Sequence, residues 1–397
     1  MLSHTIRLYK NAYTGLSKPT WLLSLVMLIN RSGTMVIPFM TIYLTSPSMG
    51  YSIGQAGIAM AFFGLGAMAG GFIGGRLTDK IGFYPVQVIT LAGGAILFVV
   101  LGQMKSFPLI CFFTFLLSVV NESFRPANST AIAYYSREQN RTRSYSLNRL
   151  AINLGWAVGG ALGGIFARIN YTLLFWVDGF TNLCAAFLMW YFLRDAARAG
   201  SSLDLRPMTD RADSAYRDKK YISFIILVSL FAACFFQMFT TLSAYYKNEL
   251  HFTEPFIGLL MACNGLLIVM IEMVLIFQLE GKKKNTYYIS WGVLLVGISY
   301  LMLNIFRINH GMALVGIIVI TLGEMLAMPF MNSFWISRSS QHNRGQYAGL
   351  YTIAWAIAQT TAPLVGGQIA EHGGFNVLWW LVAATCILVS LGFRLLL

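Results

Sequence analysis

Long apolar runs alternate with short polar stretches from one end of the chain to the other. Twelve such runs lie near Trp21–Leu44, Gly54–Gly75, Val86–Gln103, Leu109–Tyr135, Ser146–Ala167, Leu173–Leu193, Tyr221–Tyr246, Phe256–Gln278, Thr286–Phe306, Met312–Ile336, Gln346–Ile369 and Phe375–Leu396. Each is near the ~20 residues that a helix needs to cross a bilayer. None alternates polar and apolar residues in segments of about ten, as barrel strands do. The pattern predicts an all-α membrane protein with twelve transmembrane helices.

Composition agrees. Hydrophobic residues make up 57% of the 397 positions and charged residues 11%, with a mean hydropathy of +0.64. A soluble domain carries about 25% charged residues, so the solvent of this chain is lipid. The first eighteen residues are polar and basic, and no cleavable signal segment is expected. The five cysteines fall within apolar runs and show no metal-ligand spacing.

Charge sets the expected orientation. Of the 28 Lys and Arg, twenty-two fall at the termini or in the loops on the same side, including Arg141, Arg149 and Arg344. The opposite loops hold Lys105, Arg168, Lys247 and Arg307, and Arg31 and Arg125 lie inside spans. The positive-inside rule then places both termini in the cytoplasm of a multi-pass inner-membrane protein. The net charge of +13 is read as this topology signal, because the bases are dispersed and offer no nucleic-acid surface. The expected partners are the bilayer and a small-molecule substrate, with the chain a monomer.

The longest polar stretch, Arg194–Lys220, reads as a solvated linker. It divides the chain into a six-helix half at 1–193, a linker at 194–220 and a second six-helix half at 221–397. The halves repeat. A shift of 203 brings Pro126 onto Pro329, Asn140 and Arg141 onto Asn343 and Arg344, and Gly163 and Gly164 onto Gly366 and Gly367. A shift of 201 brings Gly57–Leu65 onto Gly258–Leu266 and Asp79 onto Glu280. Duplicated halves with a midplane site between them are a transporter arrangement.

Between the second and third runs, "GRLTDKIG" interrupts apolar sequence with charge. Gly75, Leu77, Asp79, Lys80 and Gly82 resemble the loop signature of the major facilitator superfamily, although Phe83 and Tyr84 replace its closing basic pair. In span five "GWAVGGALGG", Gly155–Gly164, is similar to the glycine-rich signature of the drug–proton antiporters of that superfamily, with Gly160 at the usual proline. The second half keeps a proline there, Pro363. This stretch reads either as a hinge or as close helix packing by small residues. The resemblance implies two six-helix halves around a cavity lined by spans one, four, seven and ten. It also implies that Asp79 meets the N-terminus of span eleven, after Arg344, when the cytoplasmic side is closed. Arg137 or Arg141 could hold the same carboxylate, and Gly75 and Gly82 are expected to allow the turn.

Charged groups inside spans cost about 2.5–3.5 kcal/mol each on insertion scales, so those present need a partner or a function. Arg31, Glu122, Arg125, Glu272 and Glu324 are deep, while Asp178 is expected nearer water. Glu122 and Arg125 are three apart and share a helix face, so they read either as a mutually neutralising structural ion pair or as a pair for proton coupling or substrate contact. The resemblance gives Arg125 a role in proton coupling. Glu324, with no arginine near it in sequence, is the first choice for the proton carrier; pairing with Arg31 is the structural alternative, and Glu272 ranks second. Arg31 is a candidate substrate-cavity residue, with Asn30, Gln237, Asn264, Asn332 and Gln359 as polar groups at cavity depth and Tyr43, Tyr245 and Trp355 as aromatic walls.

These features predict a proton-coupled exporter of amphipathic small molecules. It needs no cofactor beyond the proton gradient. Proton-coupled uptake of peptides or organic anions is an alternative, but the Glu-x-x-Glu-Arg pattern of peptide carriers is absent around Arg31. Lipid flipping is another, and a scaffold would have no use for the midplane charges. No GxxxxGK[ST] loop and no catalytic or metal-ligand constellation marks an ATP-driven pump or an enzyme.

Overall fold

In lipid an unpaired backbone N–H or C=O costs several kcal/mol, so an apolar chain satisfies its backbone within helices. The computed structural model describes residues 2–51, 53–201 and 214–396, and its apolar runs are helical. Span one is two half-helices, Lys18–Ser32 and Val36–Thr45. Spans two to six are Ile53–Ile81, Phe83–Leu101, Phe107–Tyr135, Arg141–Ile169 and Tyr171–Ser201. Span seven is again broken, into Lys219–Phe236 and Thr241–Asn248. Spans eight to ten are Glu254–Leu279, Asn285–Ile305 and His310–Arg338. Spans eleven and twelve run without a loop through Arg344–Leu395 and part at Gly374, whose φ of +82° only glycine adopts readily. An even number of crossings returns the chain to the face where it began, called here the terminal face.

Within the first six spans, two packs on four, three on four and six, and one on five and six. In the second six, nine packs on ten and twelve, eight on ten, and seven on the eleven–twelve helix. The two groups meet where span two lies on span eleven and span five lies on spans eight and ten.

Two expectations change. Span five begins at Arg141 rather than near Ser146, so Arg149 stands two turns inside it rather than at its edge with the loop bases. The linker is shorter than expected: span six stays helical to Ser201, past Arg194. Residues 202–213 of the linker, with Arg206 and Arg211, lie outside the described residues. The chain resumes at Ser214 with a tight turn at Ala215–Arg217, and Ala215 is buried. Asp218 then caps span seven by accepting the Tyr221 N–H at 3.1 Å. It also meets Arg338 of span ten at 2.9 Å and the Tyr347 hydroxyl at 2.9 Å, so this end of the linker is docked, not solvated.

An N-terminal helix, Leu2–Tyr13, lies over the seam of spans five and eight. Ala12 is buried against Leu147 and Met273, and the Tyr9 hydroxyl donates to the Met270 carbonyl. Arg143 donates to the carbonyls of Asn11, Ala12 and Thr14 at 3.2–3.4 Å, placing a cation at this helix C-terminus.

Candidate functional site

At the terminal face the two halves are joined by a pair of related contacts. Asp79, at the end of span two, accepts the N–H of Gly345 at 2.6 Å and of Gln346 at 2.8 Å, the first turn of span eleven. Glu280, just past span eight, accepts the N–H of Thr142 at 2.6 Å and Nε–H of Arg143 at 3.1 Å, the first turn of span five. In each a carboxylate sits where a helix N-terminus carries about half a positive charge. Burial pushes the Glu280 carboxyl above its usual value, against the pull of Thr142 and Arg143.

Gly75 is not part of a turn. It lies inside span two, where a Cβ would fall 2.6 Å from the Gly345 carbonyl oxygen, so its absence brings spans two and eleven together. Gly82, with φ +86°, does make the turn into span three. Lys80 is exposed. Arg141 does not reach Asp79; its Nε is buried without a hydrogen-bond partner among the described residues. Arg344 donates to Ser339 Oγ at 3.3 Å while its charge acts on Asp79.

The breaks in spans one and seven require partners for the freed backbone groups. Asp178 of span six supplies them in the first half. Its carboxylate accepts the N–H of Met35 at 3.0 Å and of Val36 at 2.8 Å, capping the second half-helix. It is fully buried, which corrects the expectation that water reaches it. Gln237 serves span seven: Nε2 donates to the Ala362 carbonyl at 2.9 Å, and Oε1 accepts the Thr241 hydroxyl at 2.6 Å. Its side chain is therefore used in structure rather than offered to a cavity. The glycine-rich face of span five packs against the break: a Cβ on Gly155 would fall 2.6 Å from Arg31 Cβ, and one on Gly159 3.0 Å from the Ser32 carbonyl oxygen. Packing, not an opened hinge, is what these two glycines provide.

The deep carboxylates of the second half meet a base from the first. Arg149 of span five lies 2.7 Å from Glu272 of span eight and 3.3 Å from Glu324 of span ten. Its Nε–H also reaches Glu272 at 2.9 Å. Asn264 donates to Glu324 at 3.0 Å and to the Thr321 hydroxyl at 2.9 Å. Glu272 is 1% exposed and Glu324 6%. Glu324 is thus neither alone nor paired with Arg31. Arg149, counted above among the loop bases, is the residue the sequence reading missed. Its signal was position: it stands two helical turns inside span five, on the Asn140–Arg141 start that the repeat had aligned with span eleven.

In the first half Glu122 pairs with Arg125 at 2.7 Å on span four, as their spacing suggests. Beside them a polar pocket between spans one, two, three, four and six is lined by Asn30, Arg31, Thr34, Asn121, Glu122 and Asn182, among others. Asn30 donates to Asn182 at 2.9 Å. Among the described residues Asn332 bonds only within span ten, donating to the Met328 carbonyl and accepting from Trp335. Trp355 packs in an aromatic group with Phe231, Phe235, Phe236 and Tyr351. Tyr43 and Tyr245 are buried in the cores of their halves.

A family model described as Major Facilitator Superfamily matches residues 20–360 and 225–397. The chain is 24% identical over 362 residues to "Uncharacterized MFS-type transporter YttB" of Bacillus subtilis (strain 168), covering 89% of this chain and 88% of that protein. It is 20% identical over 341 residues to "Quinolone resistance protein NorA" of Staphylococcus aureus (strain COL), covering 85% and 86%. Among solved structures, a bacterial homologue of the iron transporter ferroportin in an outward-facing state superposes with a TM-score of 0.79 at 16% identity, over 96% of this chain and 99% of that one. The human organic anion transporter MFSD10 superposes with 0.74, also at 16% identity, over 94% and 98%.

Proposed function

From the premise that the chain belongs to the Major Facilitator Superfamily, and so is a membrane transporter and not an enzyme, we propose that it exports amphipathic small molecules in exchange for protons. Both termini then face the cytoplasm, the terminal face is the cytoplasmic one, and the chain works as a monomer on the proton gradient alone. The export reading draws on the likeness to the quinolone resistance protein. The proton reading rests on one observation: two buried carboxylates, Glu272 and Glu324, share the single guanidinium of Arg149 across the seam between the halves.

One cation cannot neutralise two carboxylates, and an uncompensated charge away from water is costly. A proton on one of them balances the site. Rocking the halves apart at the terminal face takes span five away from spans eight and ten. Arg149 then leaves both acids, and water reaching them can exchange the proton with the other compartment. The Glu122–Arg125 pair, neutral in itself, is assigned to the substrate-facing side of the same cycle. Substrate and proton are coupled because both act on one two-state equilibrium.

The test is Glu324→Gln in proteoliposomes. Gradient-driven accumulation of an exported dye should be lost, while exchange without a gradient persists. Full proton-coupled accumulation by this variant, and equally by Glu272→Gln, would remove the carboxylate pair from the mechanism.

A further inference from the structure

The charged residues lining the pocket of the first half are Arg31 and Glu122, and Arg31 is the one left without a partner among the described residues. The acids around it are already engaged. Glu122 is bound by Arg125 at 2.7 Å, and both Asp178 oxygens accept backbone N–H groups at the break of span one. Asn182 is turned to other partners, accepting from Asn30 at 2.9 Å and donating to the Asp178 carbonyl at 2.8 Å. Among the described residues the Arg31 guanidinium has no hydrogen bond and no ion pair, although it lines the pocket. Glu122 acts on it only at longer range.

An arginine within apolar spans stays charged and offers five N–H donors in a planar fork. Without a partner it is expensive, and the sequence places it one turn before a break that Asp178 has already capped. The matching chemistry is a carboxylate or another planar oxyanion, which a guanidinium grips with two bonds. We infer that this pocket binds the anionic head of the transported molecule on Arg31, with its apolar remainder against Ile37, Phe63 and Phe98. The inference rests on the transport reading for its cargo but not on the proton step. It narrows the cargo from amphipathic compounds in general to amphipathic anions and zwitterions with an exposed acid. Arg125 is not among the residues lining the pocket, and its Nε lies against Glu122.

The experiment measures equilibrium binding of three fluorescent probes to purified protein in detergent, with no pH gradient. They are dansylglycine, an anion; its methyl ester, neutral; and dansylethylenediamine, a cation. Wild type should bind dansylglycine saturably and at least about tenfold more tightly than the ester or the amine, the size expected for hydrogen bonds to a charged group. Arg31→Gln should lose that preference and bind acid and ester alike, while Arg31→Lys keeps part of it. Wild type that binds the acid no better than the ester, prefers the amine, or binds dansylglycine not at all would overturn the assignment. So would a folded Arg31→Gln that keeps wild-type affinity for the acid. If Arg31→Gln fails to give a monodisperse protein, the acid-to-ester ratio of wild type and Arg31→Lys still decides. Failure of proton coupling in Glu324→Gln leaves all these ratios unchanged, so the two readings fail separately.

Discussion

Replacing Asp79 by asparagine takes the charge out of one contact that closes the terminal face, and the geometry sets the size of the effect. The carboxylate holds two N–H groups, at 2.6 and 2.8 Å, in the first turn of span eleven. Hydrogen bonds to a charged acceptor contribute about 1.5–3 kcal/mol each, and the helix N-terminus adds about 0.3–2 kcal/mol. Asparagine keeps one carbonyl oxygen and one neutral bond, but its amide group turns a donor toward a donor. The closed state should lose about 2–3 kcal/mol, a shift of roughly 30- to 150-fold toward the open form. The assay is the distance between spin labels at the terminal-face ends of spans two and eleven. The short-distance population of wild type should give way to a longer one in Asp79→Asn. Gly345→Ala should do the same with the charge intact, since its Cβ would fall 2.3 Å from the Gly75 carbonyl oxygen and 2.7 Å from Asp79 Oδ1. Identical distance distributions in wild type and both variants would refute the reasoning.

Arg149→Ala leaves Glu272 and Glu324 buried without their cation, a change that costs about 3–5 kcal/mol when one partner of a buried pair is removed. Thermal unfolding in detergent should shift downward, and Arg149→Ala with Glu272→Gln should recover part of the loss. Asp178→Ala strands two buried N–H groups at about 1–3 kcal/mol each, with Asp178→Asn intermediate in the same unfolding assay. At Asp218 burial opposes the charge, yet the Tyr221 N–H, the Tyr347 hydroxyl and Arg338 outweigh it and hold the carboxyl below its usual value. Its stabilisation is therefore present above about pH 4 and disappears as pH falls through the depressed folded-state value. The difference in melting temperature between wild type and Asp218→Asn should stay level from about pH 5 to 8 and narrow below about pH 4.

The fold was legible because lipid imposes a length and an apolar composition on every span, and because the duplication left marks at one offset. The shift that laid Asp79 on Glu280 also located the second carboxylate contact of the terminal face. Glu122 and Arg125 were readable from helical spacing alone. The partner of Glu324 was not. Arg149 and Glu324 are distant in sequence, on spans whose facing sides no local period specifies. Arg149 also stands near the basic start of span five, where the positive-inside rule explains any arginine. Asp178 and Gln237 were missed or misassigned for another reason. Their task is set by breaks in spans one and seven: Gly33 and Pro38 flank the first, the second carries no proline, and neither names the side chain that caps it. Gly75 belonged to a turn motif by resemblance but serves a helix crossing, where only the partner backbone shows why no side chain fits.

The N-terminal helix has a consequence for the order of assembly. It is synthesised before spans five and eight, which make the groove that receives it, and its Tyr9 meets a carbonyl 261 residues later in the chain. Through synthesis of the whole first half it has no completed berth. It docks after span eight has inserted and met span five, so this early helix finds its place late. Burial of Ala12 is thus a mark of finished biogenesis, and a fusion added before it hangs beside the seam that has to close.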